Sequence, residues 1–385
     1  MTAGVTGPLG FRATGVAAGL KGTGMLDVAL VVNDGPSHAA AGVFTANRVK
    51  AAPVLWTQQV VRDGRVDAVV LNSGGANACT GPGGFHDTHA TAEWAAGLLD
   101  VSATDVAVCS TGLIGDRLPM DELLAGVDAA VPLLSPGGGD DAARAIMTTD
   151  TVPKQASALD DGVAVGGMAK GAGMLAPGLA TMLCVLTTDA DVAPDVLDRV
   201  LRRATSRTFD RVDSDGCMST NDTVLLLASG ASGIAPDEEK LAGSVERVCA
   251  DLSRQLVDDA EGASKTVAVT VTRARTEDDA LLAARAVARS NLLKCALHGE
   301  DANWGRVLAA VGTTEAAFEP ERLAVALNDV WVCRDGMAAE DRSKADLSGR
   351  DVSVVVDLAA GDAEVTVWTN DLTAAYVHEN SVYST

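Results

Sequence analysis

Met168–Thr187 reads MAKGAGMLAPGLATMLCVLT and joins a glycine-rich loop to a strongly apolar run. Gly171, Gly173, Pro177 and Gly178 lie close together, directly before that run. Glycine and proline permit backbone angles that other residues resist, so such a loop can hold a peptide bond in a strained geometry. The apolar run that follows has the composition of a buried strand.

The bond between Ala180 and Thr181 lies where the loop meets the run. A threonine hydroxyl can attack the carbonyl of the preceding residue, and hydrolysis of the resulting ester leaves Thr181 as a new N-terminus. The freed α-amine has a pKa near ~8, so it can serve as general base for the hydroxyl of the same residue. The alternative is an ordinary glycine-rich loop before a buried strand, and short motifs taken alone favour it.

Strand-like and helix-like segments alternate through both halves of the chain, which predicts an α/β or α+β layered sandwich. A length of 385 residues predicts two or more structural units. Short apolar runs predict strands at Asp27–Asn33, Asp67–Asn72, Asp105–Cys109, Gly162–Met168, Thr181–Thr187, Val224–Ala228, Ser264–Arg273, Leu323–Leu327, Val330–Val332, Val352–Leu358 and Glu364–Thr369. Helical periodicity predicts helices at Asp87–Leu99, Met120–Leu134, Asp140–Met147, Ala193–Thr208, Asp237–Asp259 and Asp278–Ser290.

The composition disfavours several classes of partner. The net charge is -22, with 52 acidic and 30 basic residues, which argues against nucleic acid or an anionic membrane surface. Seven cysteines without a C-x-x-C pair argue against a disulfide framework. His86 and His89 have no further ligands at metal-binding spacing, so we expect no metal site. Without a signal peptide or a long apolar span, we expect a cytoplasmic protein.

Longer motifs along the whole chain resemble the glutamate N-acetyltransferase family, also called the ornithine acetyltransferases of arginine biosynthesis. The motifs are GVFTANRVKAAPV (Gly42–Val54), LNSGGANACTG (Leu71–Gly81), STGLIG (Ser110–Gly115), AIMTTDTVPK (Ala145–Lys154), KGAGMLAPGLATML (Lys170–Leu183), TFDRVDSDGCMSTND (Thr208–Asp222), DAEGASK (Asp259–Lys265), ALHGEDANWGR (Ala296–Arg306) and HENSVYST (His378–Thr385). Several long motifs in one order are far more specific than any single one.

This resemblance implies a fold like that of the N-terminal-nucleophile enzymes, built from two chains. Self-cleavage between Ala180 and Thr181 would give an α chain, residues 1–180, and a β chain, residues 181–385, with two copies of each in a heterotetramer. The reaction implied moves acetyl from N2-acetyl-L-ornithine to L-glutamate through an acetyl-Thr181 intermediate. It requires no metal or organic cofactor, and some members also accept acetyl-CoA.

The resemblance also carries roles to individual residues. Thr111 and Gly112 match the family's oxyanion hole, although a strand-ending turn has the same composition. The positions that match substrate contacts are Thr148 or Thr149, Lys170, Thr181, Glu261, Asn380 and Thr385. The ordinary alternatives are solvated surface charge for the Lys and Glu, and a frayed tail for the last two positions.

Two other functions stay open on the residues alone. One is a self-activating amidohydrolase or aminopeptidase that uses the same N-terminal threonine. The other is a binding or structural protein that kept the fold and does not cleave. His298 is expected to be structural, because the Thr181 amine already supplies a base.

Replacement of the expected nucleophile tests self-cleavage. We expect Thr181→Ala to run as one full-length chain on a denaturing gel and to transfer no acetyl, because it lacks the attacking hydroxyl. Wild-type protein from the same preparation is the control and should give two bands. An active Thr181→Ala protein would refute the interpretation.

Overall fold

The computed structural model describes residues 4–22, 24–176 and 182–382. Ala180, Thr181 and Thr385 lie outside these ranges, so their predicted roles stay predictions.

Two compact units make up the chain. The first comprises Met1–Asp210 and Cys217–Asp259, and the second comprises Arg211–Gly216 and Ala260–Ser384. The expected division between residues 180 and 181 therefore falls inside the first unit and differs from the boundary between the units.

The strands of the described residues are β1 (Phe11–Val16), β2 (Val28–Asn33), β3 (Ala39–Phe44), β4 (Ala68–Gly75), β5 (Val106–Leu113), β6 (Lys154–Asp160), β7 (Val163–Lys170), β8 (Leu183–Thr188), β9 (Thr223–Ala228), β10 (Thr266–Ala274), β11 (Ala324–Leu327), β12 (Val330–Arg334), β13 (Met337–Ala338), β14 (Asp351–Asp357) and β15 (Ala363–Asn370). The α-helices are α1 (Ala52–Val60), α2 (Gly81–Leu99), α3 (Met120–Ala130), α4 (Gly139–Ala145), α5 (Pro194–Arg207), α6 (Glu238–Asp258), α7 (Glu277–Ala288), α8 (Asn291–His298), α9 (Trp304–Val311) and α10 (Ala374–Val382).

The first unit packs two sheets face to face between layers of helices. One sheet has the order β1-β2-β4-β5 and the other β3-β9-β8-β7-β6. Side chains alternate across β8, because successive strand residues point to opposite faces. Leu183 and Val185 join the core shared with the first sheet, whereas Cys184 and Leu186 pack in the core that includes α5 and α6. This arrangement confirms the predicted α/β layered sandwich.

The second unit has one mixed sheet. Its order is β13-β12-β11-β14-β10-β15, with β10 parallel to β14 and antiparallel to β15. Valines at alternate positions of β10, namely Val267, Val269 and Val271, are buried in a core that also holds α7 and α9 residues. The half-buried pattern matches a sheet with one covered face.

The segment around the expected scissile bond connects two neighbouring strands. β7 and β8 pair antiparallel, with Lys170 opposite Leu183 at the end of the ladder. β8 also pairs with β9, so it lies inside the sheet. A break between residues 180 and 181 would therefore leave both sides held by the strand hydrogen bonds of β7 and β8.

The predicted strands and helices are found in the structure, with shifts at their ends. Helix α2 begins at Gly81 rather than Asp87, because Pro82 is accommodated in the first turn of a helix. The segment Asp237–Asp259 forms one continuous helix, α6. The elements that were not predicted from the sequence are β1, β3, β6, β13, α1, α8, α9 and α10. Strand β3, AAAGVF, is rich in Ala and Gly and lacks the composition typical of strands.

Strand β8 is buried on both faces, so its side chains are expected to contribute strongly to the stability of the first unit. Leu186 is 0% exposed, so Leu186→Ala should lower the free energy of unfolding by roughly 2–5 kcal/mol. Leu159→Ala, in β6 of the same sheet, is the matched control, because Leu159 is 73% exposed. Chemical denaturation compares the two variants, and equal losses of stability would contradict this assignment of the core.

Candidate functional site

Thr111 and Gly112 lie at the carboxyl end of β5, where a register shift disturbs its pairing with β4. Gly112 has φ +132°, and a Cβ at this position would lie 2.5 Å from the backbone nitrogen of Gly75. A side chain is therefore excluded there. The two residues lie near the end of β5, where the pairing is irregular, and the Thr111 side chain is buried.

Lys170 ends β7 and lies beside Thr111. It is 3% exposed, and its Nζ donates a hydrogen bond of 3.3 Å to Thr111 Oγ1. The alternative of solvated surface charge is therefore wrong for Lys170. The Lys170 amine and the Thr111 hydroxyl are buried side by side, next to Gly112. Such a group of hydrogen-bond donors is what a developing oxyanion requires.

The Asp150 carboxylate accepts hydrogen bonds from several segments of this region. Its Oδ1 accepts hydrogen bonds from Lys154 Nζ at 2.6 Å and Gly171 N at 2.7 Å, and its Oδ2 accepts from Thr148 N at 3.0 Å. Burial disfavours the charged carboxylate, but the ammonium groups of Lys170 and Lys154 outweigh it and lower the pKa of Asp150 to about 2. Asp150 therefore stays ionised over the physiological range.

Lys154 extends this network to Asp259. Its completely buried Nζ lies 2.6 Å from Asp259 Oδ2, which also accepts a 3.0 Å hydrogen bond from Thr151 N. Thr148 and Thr149, both half-buried, thus lie in a loop tied at both ends to carboxylates. Asp150 and Lys154 belong to the motif Ala145–Lys154, but neither residue has a role predicted from the sequence.

Asp222 contacts the backbone of Met182, the residue directly after the expected nucleophile Thr181. Its Oδ1 accepts a 3.1 Å hydrogen bond from the backbone nitrogen of Met182. The side chain is completely buried, and burial raises the pKa of Asp222 well above its usual range. Asp222 closes the motif Thr208–Asp222 but has no role predicted from the sequence.

Glu261 and Asn380 contact each other in the second unit, with Asn380 Nδ2 3.0 Å from Glu261 Oε2. Asn380 belongs to helix α10, so the frayed-tail alternative is wrong for this residue. Gly262 follows Glu261 with φ +61°, and a Cβ there would lie 2.2 Å from the backbone nitrogen of Tyr376. Glycine at this position lets the loop approach α10 closely.

A cavity of about 250 Å³ opens beside Glu261 in the second unit. Its lining includes Arg289 and Lys294 as well as the acidic Asp215 and Asp371. Burial lowers the pKa of Lys294, opposed by the charges of nearby aspartates. Both signs of charge therefore line a cavity of a size that suits a small polar molecule.

Two histidines, His298 and His89, lie beside carboxylates. His298 Nδ1 lies 3.0 Å from Asp371 Oδ2, and Asp371 Oδ1 accepts hydrogen bonds from the backbone of Ser264 and Lys265. His89 pairs with Glu93 of its own helix at 3.5 Å, and its ring lies 5.0 Å from that of Trp56. Among residues 4–22, 24–176 and 182–382, no group of three or more His, Cys, Asp or Glu side chains has a metal-binding arrangement. Within the same ranges, no helix has the length and apolar character of a membrane span.

The sequence matches the profile of the ArgJ family over residues 12–385. It is 66% identical to the arginine biosynthesis bifunctional protein ArgJ of Streptomyces coelicolor over 380 residues, covering 99% of each chain. The protein of the same name from Mycobacterium tuberculosis is 61% identical over 389 residues, covering 99% of this chain and 96% of that protein. These relatives match the chain along essentially its whole length.

Two solved structures are also similar. Ornithine acetyltransferase from Mycobacterium tuberculosis, complexed with ornithine, is 64% identical and aligns with a TM-score of 0.46, covering 48% of this chain and 98% of that one. The arginine biosynthesis bifunctional protein argJ from Bacillus halodurans is 31% identical, with a TM-score of 0.49, covering 51% of this chain and 97% of that one.

The buried Asp150 carboxylate predicts a pH dependence of stability. Its pKa of about 2 lies below the ordinary value, so its contribution is complete above about pH 4 and is lost as the pH falls toward 2. Asp150→Asn should therefore cost roughly 3 kcal/mol at pH 7 and flatten the acid dependence between pH 4 and 2. The measurement is the free energy of unfolding against pH.

The control is Asp161→Asn, which breaks the exposed ion pair between Asp161 and Lys240. We expect little change in stability from it, because exposed ion pairs contribute little. An Asp150→Asn protein with the wild-type slope below pH 4 would show that this carboxylate is not held ionised.

Proposed function

The chain belongs to the ArgJ family, and on that premise we propose that it moves acetyl from N2-acetyl-L-ornithine to L-glutamate. The single observation that carries the proposal is the buried contact between Lys170 and Thr111, 3.3 Å long, beside Gly112. Lys170 also lies at the start of the segment Lys170–Leu183, which holds the expected nucleophile.

The nucleophile in this proposal is Thr181, freed by self-cleavage after Ala180. The α chain would then be residues 1–180 and the β chain residues 181–385. The pairing of β7 with β8 supports this part, because it would hold the two chains in one sheet after the break. Two copies of each chain form the assembly that the family resemblance implies.

The transfer occurs in two half-reactions. The Thr181 amine takes the proton from the Thr181 hydroxyl as its oxygen attacks the acetyl carbonyl of acetylornithine. The C–N bond then breaks, and ornithine leaves with the proton on its nitrogen. The amine of glutamate attacks the acetyl-Thr181 ester in the second half-reaction and releases N-acetylglutamate and the free hydroxyl.

The donors near Thr111 stabilise both tetrahedral intermediates. The Thr111 hydroxyl and the Gly112 N–H would bind the oxyanion, and the neighbouring Lys170 adds positive charge in a buried site where electrostatic effects are large. Lys170 would also contact the substrate carboxylate.

The remaining contacts orient the amino acid substrates. Glu261 would accept a hydrogen bond from the substrate amine, and Asn380 would hold the Glu261 carboxylate in place. Thr148 or Thr149 and the terminal Thr385 would complete the set. We include acetyl-CoA as a second donor class, which some members of the family accept.

Acetyl transfer can be followed directly by mass spectrometry. Incubation with acetylornithine should add one acetyl group to the chain that begins at Thr181, and later addition of glutamate should remove it as N-acetylglutamate. Thr181→Ala is the control and should take up none. Release of free acetate without transfer to glutamate would instead identify an amidohydrolase, and an intact chain that takes up no acetyl would exclude both enzymes.

A further inference from the structure

Asn221 and Asp222 are consecutive residues that hold two different strands at the proposed site. Asn221 Nδ2 donates hydrogen bonds to Ser110 O at 2.8 Å and to Ala76 O at 2.6 Å. Ser110 directly precedes Thr111 in β5. The Asn221 amide therefore fixes the backbone from which the proposed oxyanion donors extend.

The next residue holds the other side of the site. Asp222 Oδ1 accepts a 3.1 Å hydrogen bond from Met182 N, and that N–H belongs to the peptide bond joining Thr181 to Met182. A backbone hydrogen bond of 3.1 Å, from Thr223 N to Met182 O, holds the same residue from its other side. Asp222 therefore fixes the chain one bond after the proposed nucleophile.

The Asn221 side chain and the Asp222 backbone are both held by neighbouring residues. Thr220 Oγ1 donates to Asn221 Oδ1 at 2.6 Å, which directs the amide nitrogen toward the carbonyls of Ser110 and Ala76. Thr45 N donates to Asp222 O at 2.9 Å, which anchors the backbone of this pair. The three hydrogen bonds of the buried Asn221 amide hold it in one orientation.

We propose that Asn221 and Asp222 are positioning residues that set the distance between Met182, the residue directly after the expected nucleophile Thr181, and the oxyanion donors Thr111 and Gly112. The inference rests on the proposed function of this site. Adjacent Cα atoms are ~3.8 Å apart, so two neighbouring side chains hold the two strands at a nearly fixed separation. Misplacement of reacting groups by ~1 Å can cost on the order of 100-fold in rate.

Asn33 provides a matched control for Asn221. Asn33 is also buried, and its Nδ2 donates to Ser37 O at 3.0 Å and Ala228 O at 3.2 Å. Ala228 ends β9, whereas Asn221 precedes the start of β9. Asn33→Ala and Asn221→Ala therefore each remove a side-chain amide that donates to two backbone carbonyls. The two amides lie at opposite ends of β9.

The test compares Asn221→Ala with Asn33→Ala in the full chain. Both should lower the thermal midpoint similarly, but only Asn221→Ala should slow self-cleavage and lower kcat, per chain that can be acetylated, on the order of 100-fold. The KM for acetylornithine should change little in both. Equal rates in the two variants would overturn the inference.

Asp222 is tested with a second pair of variants. Asp222→Asn keeps an oxygen that can accept from Met182 N and should largely retain self-cleavage, whereas Asp222→Ala removes the acceptor and should lose it. Wild-type rates in Asp222→Ala would overturn the inference, and so would full loss in Asp222→Asn, since the carboxyl would then act otherwise than by position. A wild-type protein that neither cleaves nor transfers acetyl would overturn the proposed function as well.

Discussion

The antiparallel pairing of β7 with β8 is the constraint on which the rest of the site depends. Lys170 ends one strand opposite Leu183 near the start of the other, so the glycine-rich segment between them must return the chain over a short distance. The ladder joins Val165–Lys170 to Leu183–Thr188 through six residue pairs. A break between residues 180 and 181 is therefore compatible with an intact sheet, because it would leave these six pairs in place.

Buried charge organises the region around this connection. Asp150 accepts hydrogen bonds from Lys154, Gly171 and the 148 loop, and Lys154 carries the network on to Asp259. Burying single charges in this way is costly unless each is paired. The pairing explains why the Asp150 carboxylate remains ionised and why the loop that carries Thr148 and Thr149 is held in one arrangement.

The sequence revealed the fold where local pattern and tertiary packing agree. Runs such as Val28–Asn33 are rich in β-branched residues, and α5 shows clear helical spacing, so both were predicted. Strand β3 was missed because Ala and Gly become a strand there only through pairing with β9.

The site was predicted less completely, because the burial of its charged residues also depends on tertiary packing. Thr111 and Lys170 were identified through motif resemblance. Lys154 and Asp222 close two of the resembling motifs, but nothing in the sequence indicates that they are buried. Their burial depends on partners far away in the chain, such as Asp259, which lies 105 residues from Lys154. The most direct test compares the mass of active wild-type protein under denaturing and native conditions. We predict two chains, residues 1–180 and 181–385, that separate in denaturant and stay associated in native buffer; a single full-length mass in protein that transfers acetyl would contradict self-cleavage at Thr181.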